Sequence, residues 1–345
     1  MKKFRSHLII FHRDSNLIKS LNFDNSEIDL EISPEPTGTF WKSVDCRSES
    51  WHKEPHKSLP NDGKVPADEL IIVAENEGIA EDVLSTIKGG ILLAYPDFNN
   101  RPFTVDINNV DEYSSELYAD EVFRNYYKQI DRIGFGCCVL KKAYGITELQ
   151  YAIEKFKLSL KINSITPHSA NPKYGQIFEH YDLDKSYHTS GAFAIIAAFS
   201  VIEELGLEIR SSPEKPRFLN REEGKWNSEV LEDIKNRLRK IGITEDETFD
   251  WIYRGDKTEI EKSFKPYFGR SSNWADYKEV RDKTLSFPEA IENASYIRNY
   301  ISSHKFKDLT QYISPYDIFN VQSLARNLIL RSLGLWKVNL YNESD

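Results

Sequence analysis

The sequence predicts an α+β protein in which a strand-rich, mixed α/β N-terminal domain precedes an all-helical C-terminal bundle. Three observations lead there. Short β-prone runs divided by turn residues fill the first 125 positions, and the apolar spacing changes to every fourth residue after Asp120. Long segments near the C-terminus begin on Ser or Ser-Pro and stop at glycine.

Residues 7–11, 27–32, 69–74 and 91–95 read as strands, separated by turns bearing Asn, Asp, Pro and Gly. Between the last two, Ile79, Val83 and Ile87 recur every four residues and Gly89-Gly90 supplies a stop. Residues 69–95 are therefore expected to form a strand–helix–strand unit. The polar, Pro-rich stretch 33–64 reads as a long surface loop. Val122, Tyr126 and Ile130 open the helical pattern, and Leu149, Ile153, Phe156 and Leu160 continue it after Thr147, the expected N-cap. Pro167, Pro172 and Gly175 mark 165–184 as an irregular connection. The expected domains are 1–125, regulatory or sensing; 126–188, a helical connector; and 189–345, a helical bundle.

Four helices are predicted in that last part. Residues 190–207 carry Phe193, Ile196, Ala197, Val201 and Leu205, apolar on most sides and so buried. Residues 228–241 begin at a Ser cap and end before Gly242. Residues 287–303 start with Pro288 in the first turn, where proline is favoured. Residues 315–333 follow Ser314, with Ile318, Val321, Leu324 and Leu328 as a core stripe and Gly334 as the end. Antiparallel helices joined by moderate loops make a bundle.

Composition narrows the function classes. The 345 residues are 40% hydrophobic, with 19 Phe, 18 Tyr and 6 Trp, enough to offset the entropy of ordering two domains. No run of 18 apolar residues occurs, and the apolar run 8–11 after the basic start is too short for a signal-peptide core. A cytoplasmic protein without membrane contact is expected. The net charge of −9 is uneven: residues 1–125 hold 13 Lys and Arg against 23 Asp and Glu, the remainder 32 against 31. The first part is thus a poor polyanion partner, while the second can carry a basic surface.

Cofactor signals are weak. Cys46, Cys137 and Cys138 lack zinc-site spacing and read as reduced thiols. Glu179, His180, Asp182 and Asp184 with His188 are ligand-type residues, but the spacing of the two histidines matches no metal site. Gly134-Phe135-Gly136 lacks the third glycine of a dinucleotide fingerprint and reads as a turn. No P-loop, nucleophile elbow or HExxH occurs. No cofactor and no metal are expected.

One constellation carries chemistry: Arg298-Asn299, then four residues, then His304, placed between the last two long helices. Histidine titrates near neutrality and can protonate a leaving oxygen. An arginine fork can hold two oxygens of a phosphate gaining charge, and Asn299 can orient the phosphate or a ribose hydroxyl. This segment, with the following Ser-Pro-capped helix and its Ala325-Arg326-Asn327-Leu328, resembles the Arg-polar-x4-6-His signature of HEPN ribonucleases. The resemblance covers about 150 residues, 189–336, with 211–283 resembling an insertion. More loosely, the chain resembles bacterial defence proteins of the ApeA-like or abortive-infection type.

That resemblance implies a metal-independent RNA endonuclease acting as a toxin or antiphage effector. Arg298, Asn299 and His304 would be catalytic, the product a 2′,3′-cyclic phosphate, and tRNA a reasonable target. A phage-derived or cellular trigger would act on the N-terminal domain. Arg281, Lys305 and Arg326 are candidates to line an RNA groove, beside Asp282, and either Glu203 or Glu204 could face the centre. On a straight helix, residues six apart lie about 240° apart around the axis, so Arg298 and His304 would not share a face. Either the helix ends near Ser302 and the chain turns back, or a second subunit completes each site. The family answer is a homodimer with a composite site. The alternative from another class is a HEPN-type module that binds nucleotide or protein partners without cleaving.

Overall fold

The computed structural model describes residues 1–10, 12–23, 27–32, 38–41, 64–96, 110–113, 132–164, 185–220, 224–253, 258–263, 281–302 and 313–337. They form a mixed α/β protein, predominantly helical, with a small antiparallel sheet. Two compact units divide the chain. The first comprises Met1–Tyr95, Asn100–Gly145 and Lys337–Asp345, and the second Pro96–Asn99 and Ile146–Trp336. The dividing point at Gly145 falls inside the 126–188 segment read from sequence as a connector, whose described residues go to both units.

In the first unit, β1 (Lys2–Ile10), β2 (Ile28–Ile32), β3 (Gly38–Trp41), β4 (Lys64–Ala74) and β5 (Asp111–Glu112) make one sheet, with β4 central. Its C-terminal half lies between β1 and β2, and its N-terminal half pairs β3. Leu70, Ile71, Ile72, Val73 and Ala74 are all buried, so both faces of β4 are covered and the apolar run need not alternate. Strand β3 lies within 33–64, where the sequence suggested only a loop. In β1 the register shifts between Arg5 and Ile9, and His7 takes a left-handed φ of 57°. The Glu69 carboxylate accepts the His7 backbone N–H at 3.0 Å.

Helix α1 (His12–Ser20), α2 (Glu77–Ala94) and α3 (Ile133–Ala143) complete this unit. Asn76 caps α2 by accepting from Ile79 N–H. The helix runs straight through Gly89-Gly90, and 91–95, expected as a strand, is its last turn. The residues 134–136, expected as a turn, lie inside α3. Both corrections have one cause: the glycines are where helices cross. A Cβ on Gly90 would stand 2.7 Å from the Gly136 Cα, and one on Gly136 would stand 2.5 Å from the Ile87 carbonyl oxygen.

Alanine is preferred over glycine inside a helix by ~1 kcal/mol. Gly136→Ala is nonetheless expected to destabilise the protein, because overpacking of this kind costs ~1–3 kcal/mol. Urea denaturation followed by circular dichroism measures it, and an unchanged or raised midpoint would show that the helices do not cross so closely. The helix expected around Val122, Tyr126 and Ile130 lies outside the described residues, as does the 165–184 connection.

The second unit contains α4 (Thr147–Ile162), α5 (Lys185–Glu204), α6 (Ser228–Lys240), the short α7 (Glu259–Lys262), α8 (Phe287–Tyr296) and α9 (Pro315–Ser332). Thr147 is the first residue of α4 rather than its cap, which is Ile146. Helix α5 starts earlier and ends three residues sooner than the expected 190–207. It packs against α4 and α9. Ala194, Ile195, Ala198, Phe199 and Ile202 meet Ala290, Ile291, Ala294, Ile318, Val321 and Leu324 in one core. A buried Gln322 ties the helices by donating to Ser159 Oγ at 2.9 Å and to the Asn163 carbonyl at 2.7 Å.

Two antiparallel ribbons, lying mostly within 211–283, were not anticipated: β6 (Phe218–Asn220) with β7 (Lys225–Trp226), and β8 (Thr248–Tyr253) with β9 (Arg281–Ser286). Strand β8 alternates buried Phe249, Trp251 and Tyr253 with more exposed residues, the period of a strand lying on a core. The Asn320 side chain of α9 accepts from Ile252 N–H and donates to Ile252 C=O, each at 2.9 Å. Among the described residues no helix is long and apolar enough to cross a membrane.

Candidate active site

The Arg298-Asn299 pair stands at the end of α8, and that helix is set firmly at its start. Ser286 accepts from Glu289 N–H while the Glu289 carboxylate accepts from Ser286 N–H at 2.8 Å, a reciprocal capping box, with Pro288 in the first turn. Phe287, Ala290, Ile291, Ala294 and Ile297 seat one side of the helix in the core. A second side carries polar residues at Glu292, Ser295 and Asn299, three and seven residues apart, which is one stripe of a helix.

The expected single helix 287–303 is corrected here. Regular α-helix ends at Tyr296, and Ile297–Ser302 continues as a π-helical turn. In such a turn the hydrogen bonds run to the fifth residue, so the backbone widens and the motif residues are rotated from their α-helical bearings. The 240° separation expected for a straight helix therefore does not describe this segment.

Arg298 is gripped from three directions. Its Nη1 donates to Asn299 Oδ1 at 2.6 Å, and its Nη2 lies 3.6 Å from Glu203 Oε1 on α5. Its guanidinium carbon stands 5.9 Å from the centre of the Phe199 ring, one turn before Glu203 on α5. The Nε is buried with no hydrogen-bond partner among the described residues. One third of the side chain remains solvent-accessible, 33%. Arg298 is thus an oriented cation with a reachable face.

Behind it runs a chain of polar contacts. Asn299 Nδ2 donates to Ser295 Oγ at 3.2 Å, and Arg217 Nη1 donates to the same oxygen at 3.3 Å. Arg217 Nη1 also donates to Glu292 Oε2 at 2.7 Å, and the Glu292 side chain is only 4% exposed. Of the two candidate carboxylates on α5, Glu203 faces Arg298. Glu204 turns to Lys155 Nζ at 2.5 Å.

The remaining sequence candidates are placed as follows. Arg326 is half-buried on α9, and burial pulls its guanidinium down to about 10, which leaves it charged at neutral pH. Arg281 pairs with Tyr253 and Asp282 with Ile252 in the β8–β9 ladder, at the end away from α8. His304 and Lys305 lie outside the described residues. The structure brings together Arg298, Asn299 and Glu203.

Sequence reasoning did not find Arg217, Glu292, Ser295 or Phe199. The Glu292–Ser295–Asn299 stripe was readable as helical periodicity. Arg217 is 75 residues from Glu292, and no local signal announces it.

Cys137 and Cys138 are buried in α3, and burial pushes both thiols up, away from the reactive thiolate form. Among the described residues no group of three His, Cys, Asp or Glu side chains is arranged to hold a metal ion. Residues 179–184 and Cys46 lie outside them. No protein-family model, curated protein or solved structure matches the chain.

Proposed function

We propose that the chain is a metal-independent RNA endonuclease of the HEPN type, acting as a toxin or antiphage effector. The observation that carries this reading is Arg298 itself, oriented by Asn299 on a π-helical turn with part of its guanidinium open to solvent. In the proposed reaction the ribose 2′-hydroxyl gives its proton to water as its oxygen attacks the adjacent phosphorus, and the P–O5′ bond breaks. His304 gives a proton to the departing 5′-oxygen, and a 2′,3′-cyclic phosphate remains. Arg298 stabilises the charge gained by the phosphate oxygens.

In the same reading the helices of the second unit form a HEPN-like bundle, and two copies of the chain meet with their motifs facing each other. A twofold dimer is the commonest homo-oligomer. The first unit senses a phage-derived or cellular trigger, and the nuclease stays restrained until then. A single-stranded tRNA loop suits the in-line attack, because its 2′-hydroxyl and phosphate are free of helical constraint.

One observation favours the second reading, a non-cleaving HEPN-type module that binds nucleotide or protein. Glu203 already stands against Arg298 and offsets its charge. Incubation of the protein with total RNA and tRNA in EDTA separates the two. The nuclease reading expects fragments ending in 2′,3′-cyclic phosphate, growth arrest on induction in a bacterial host, and a dimer by sedimentation. RNA left intact, together with unimpaired growth of the induced host, would leave the binding module as the better account.

A further inference from the structure

We infer that Ser295, braced by Arg217 and Glu292, is a positioning residue that aims Arg298 through Asn299. This rests on the reading that Arg298 is the group that meets the phosphate.

An Asn side chain has one oxygen and one NH₂, and it can present either to a neighbour. A guanidinium only donates, so Arg298 is held only while Asn299 presents Oδ1 to it. The 2.6 Å contact to Arg298 Nη1 shows that orientation. Its persistence requires an acceptor for Asn299 Nδ2 on the other side, and Ser295 Oγ is that acceptor at 3.2 Å.

A serine hydroxyl can itself either donate or accept, so Ser295 alone would not fix the amide. Arg217 removes the ambiguity. Its Nη1 points a second N–H at Ser295 Oγ, at 3.3 Å. With two donors aimed at one oxygen, both lone pairs are engaged and the hydroxyl hydrogen must point elsewhere. Arg217, itself 22% exposed, is in turn anchored at 2.7 Å by the almost fully buried Glu292 carboxylate. The order of control therefore runs Glu292, Arg217, Ser295, Asn299, Arg298.

A purely structural account of the Arg217–Glu292 pair is weaker. Desolvating two charges often cancels the gain from pairing them, so a buried ion pair is poor evidence of a stabilising purpose. The apolar side of α8 is packed without it. What the pair does in this geometry is fix which way a chain of ambivalent side chains points.

Arg217→Ala would leave the Glu292 carboxylate buried without this cation and risks misfolding. Ser295→Ala removes one oxygen and no charge, and is the main variant, with Ser295→Thr to restore the hydroxyl. Two measurements are needed. On RNA in EDTA, Ser295→Ala is expected to lower kcat about tenfold or more with KM within about twofold, since small misplacements of a reacting group have effects of this size. Ser295→Thr should recover most of the loss, and Ser295→Ala combined with Asn299→Ala should be no slower than Asn299→Ala alone.

The second measurement is independent of activity. In protein labelled with ¹⁵N-arginine, the Arg298 Nε–Hε resonance is identified by its absence in Arg298→Lys. It is expected to shift and broaden in Ser295→Ala and to return in Ser295→Thr. Unchanged kcat in Ser295→Ala, or additive effects in the double variant, overturns the inference. Wild-type protein that leaves RNA intact removes the nuclease reading instead, and the resonance then decides alone: a signal unmoved in Ser295→Ala overturns the relay, and a moved one sustains it.

Discussion

Arg298→Ala is expected to lower RNA cleavage by about 10²–10³-fold, the usual loss when one preorganised donor to a transition-state oxyanion is removed. The side chain is partly exposed and its ion pair with Glu203 is solvent-screened, so folding should be nearly unaffected. Arg298→Lys keeps the charge but loses the planar fork, and most of the defect should persist. His304→Ala should fall by about 10²–10⁴-fold, as for loss of a general acid. The two losses should not add, because groups serving one transition state act as a unit. Single-turnover cleavage of labelled RNA in EDTA measures the wild type, the three single variants and the Arg298→Ala/His304→Ala double variant, with thermal melting as the folding control. A wild-type rate in Arg298→Ala would end the assignment of this site, whatever nuclease activity remained.

The second large effect concerns stability. Trp251 is fully buried at the centre of β8, and its Nε1–H donates to Glu261 Oε1 at 2.8 Å. Together with Thr258 Oγ1, which donates to Asn293 Oδ1 at 2.6 Å, this contact pins α7 to the core. Trp251→Ala is expected to destabilise the protein by ~3–5 kcal/mol through the cavity it leaves. Trp251→Phe retains most of the ring but loses a hydrogen bond to a carboxylate, and should cost ~1.5–3 kcal/mol. Urea unfolding followed by circular dichroism gives both values. Equal effects from the two substitutions would show that packing contributes nothing beyond the hydrogen bond.

Much of the fold was legible where side chains announce their own surroundings. Pro288 in a first turn, and Ser314 before Pro315, marked the starts of α8 and α9 correctly. The four-residue spacing of Ile79, Val83 and Ile87 marked α2. What misled was glycine, whose meaning depends on a partner the local sequence does not contain. Gly90 reads as a stop and Gly136 as part of a turn, but each makes room for the other's helix. Strands β8 and β9 were missed for a related reason, since their pairing joins residues 248–253 to 281–286 across a long separation.

The candidate site divides along the same line. Arg298 and Asn299 are adjacent and stood out as a motif. The π-helical turn that sets their bearing depends on the fifth-residue hydrogen bonds, which apolar periodicity does not encode. Glu203 was noticed only as one of two adjacent carboxylates, either of which could face the centre. Its direction became clear from Phe199, which faces Arg298 from the same side of α5.

The paired hydrogen bonds between Asn320 and Ile252 have a consequence for the assembly history of the chain. A two-stranded ribbon has an outer rim of unused backbone groups, and such rims recruit strands from other molecules. At Ile252 that rim is sealed by a side chain from α9, which imitates one residue of a third strand. The seal exists only after α9 has docked, its Asn320 lying 68 residues further along the chain. Until then, a nascent or partly unfolded molecule presents an adhesive edge, and slow synthesis or truncation before α9 should favour clumping over native folding. The Ile252 amide is accordingly a reporter: its hydrogen exchange should quicken whenever α9 lifts away, even while the ribbon itself stays paired.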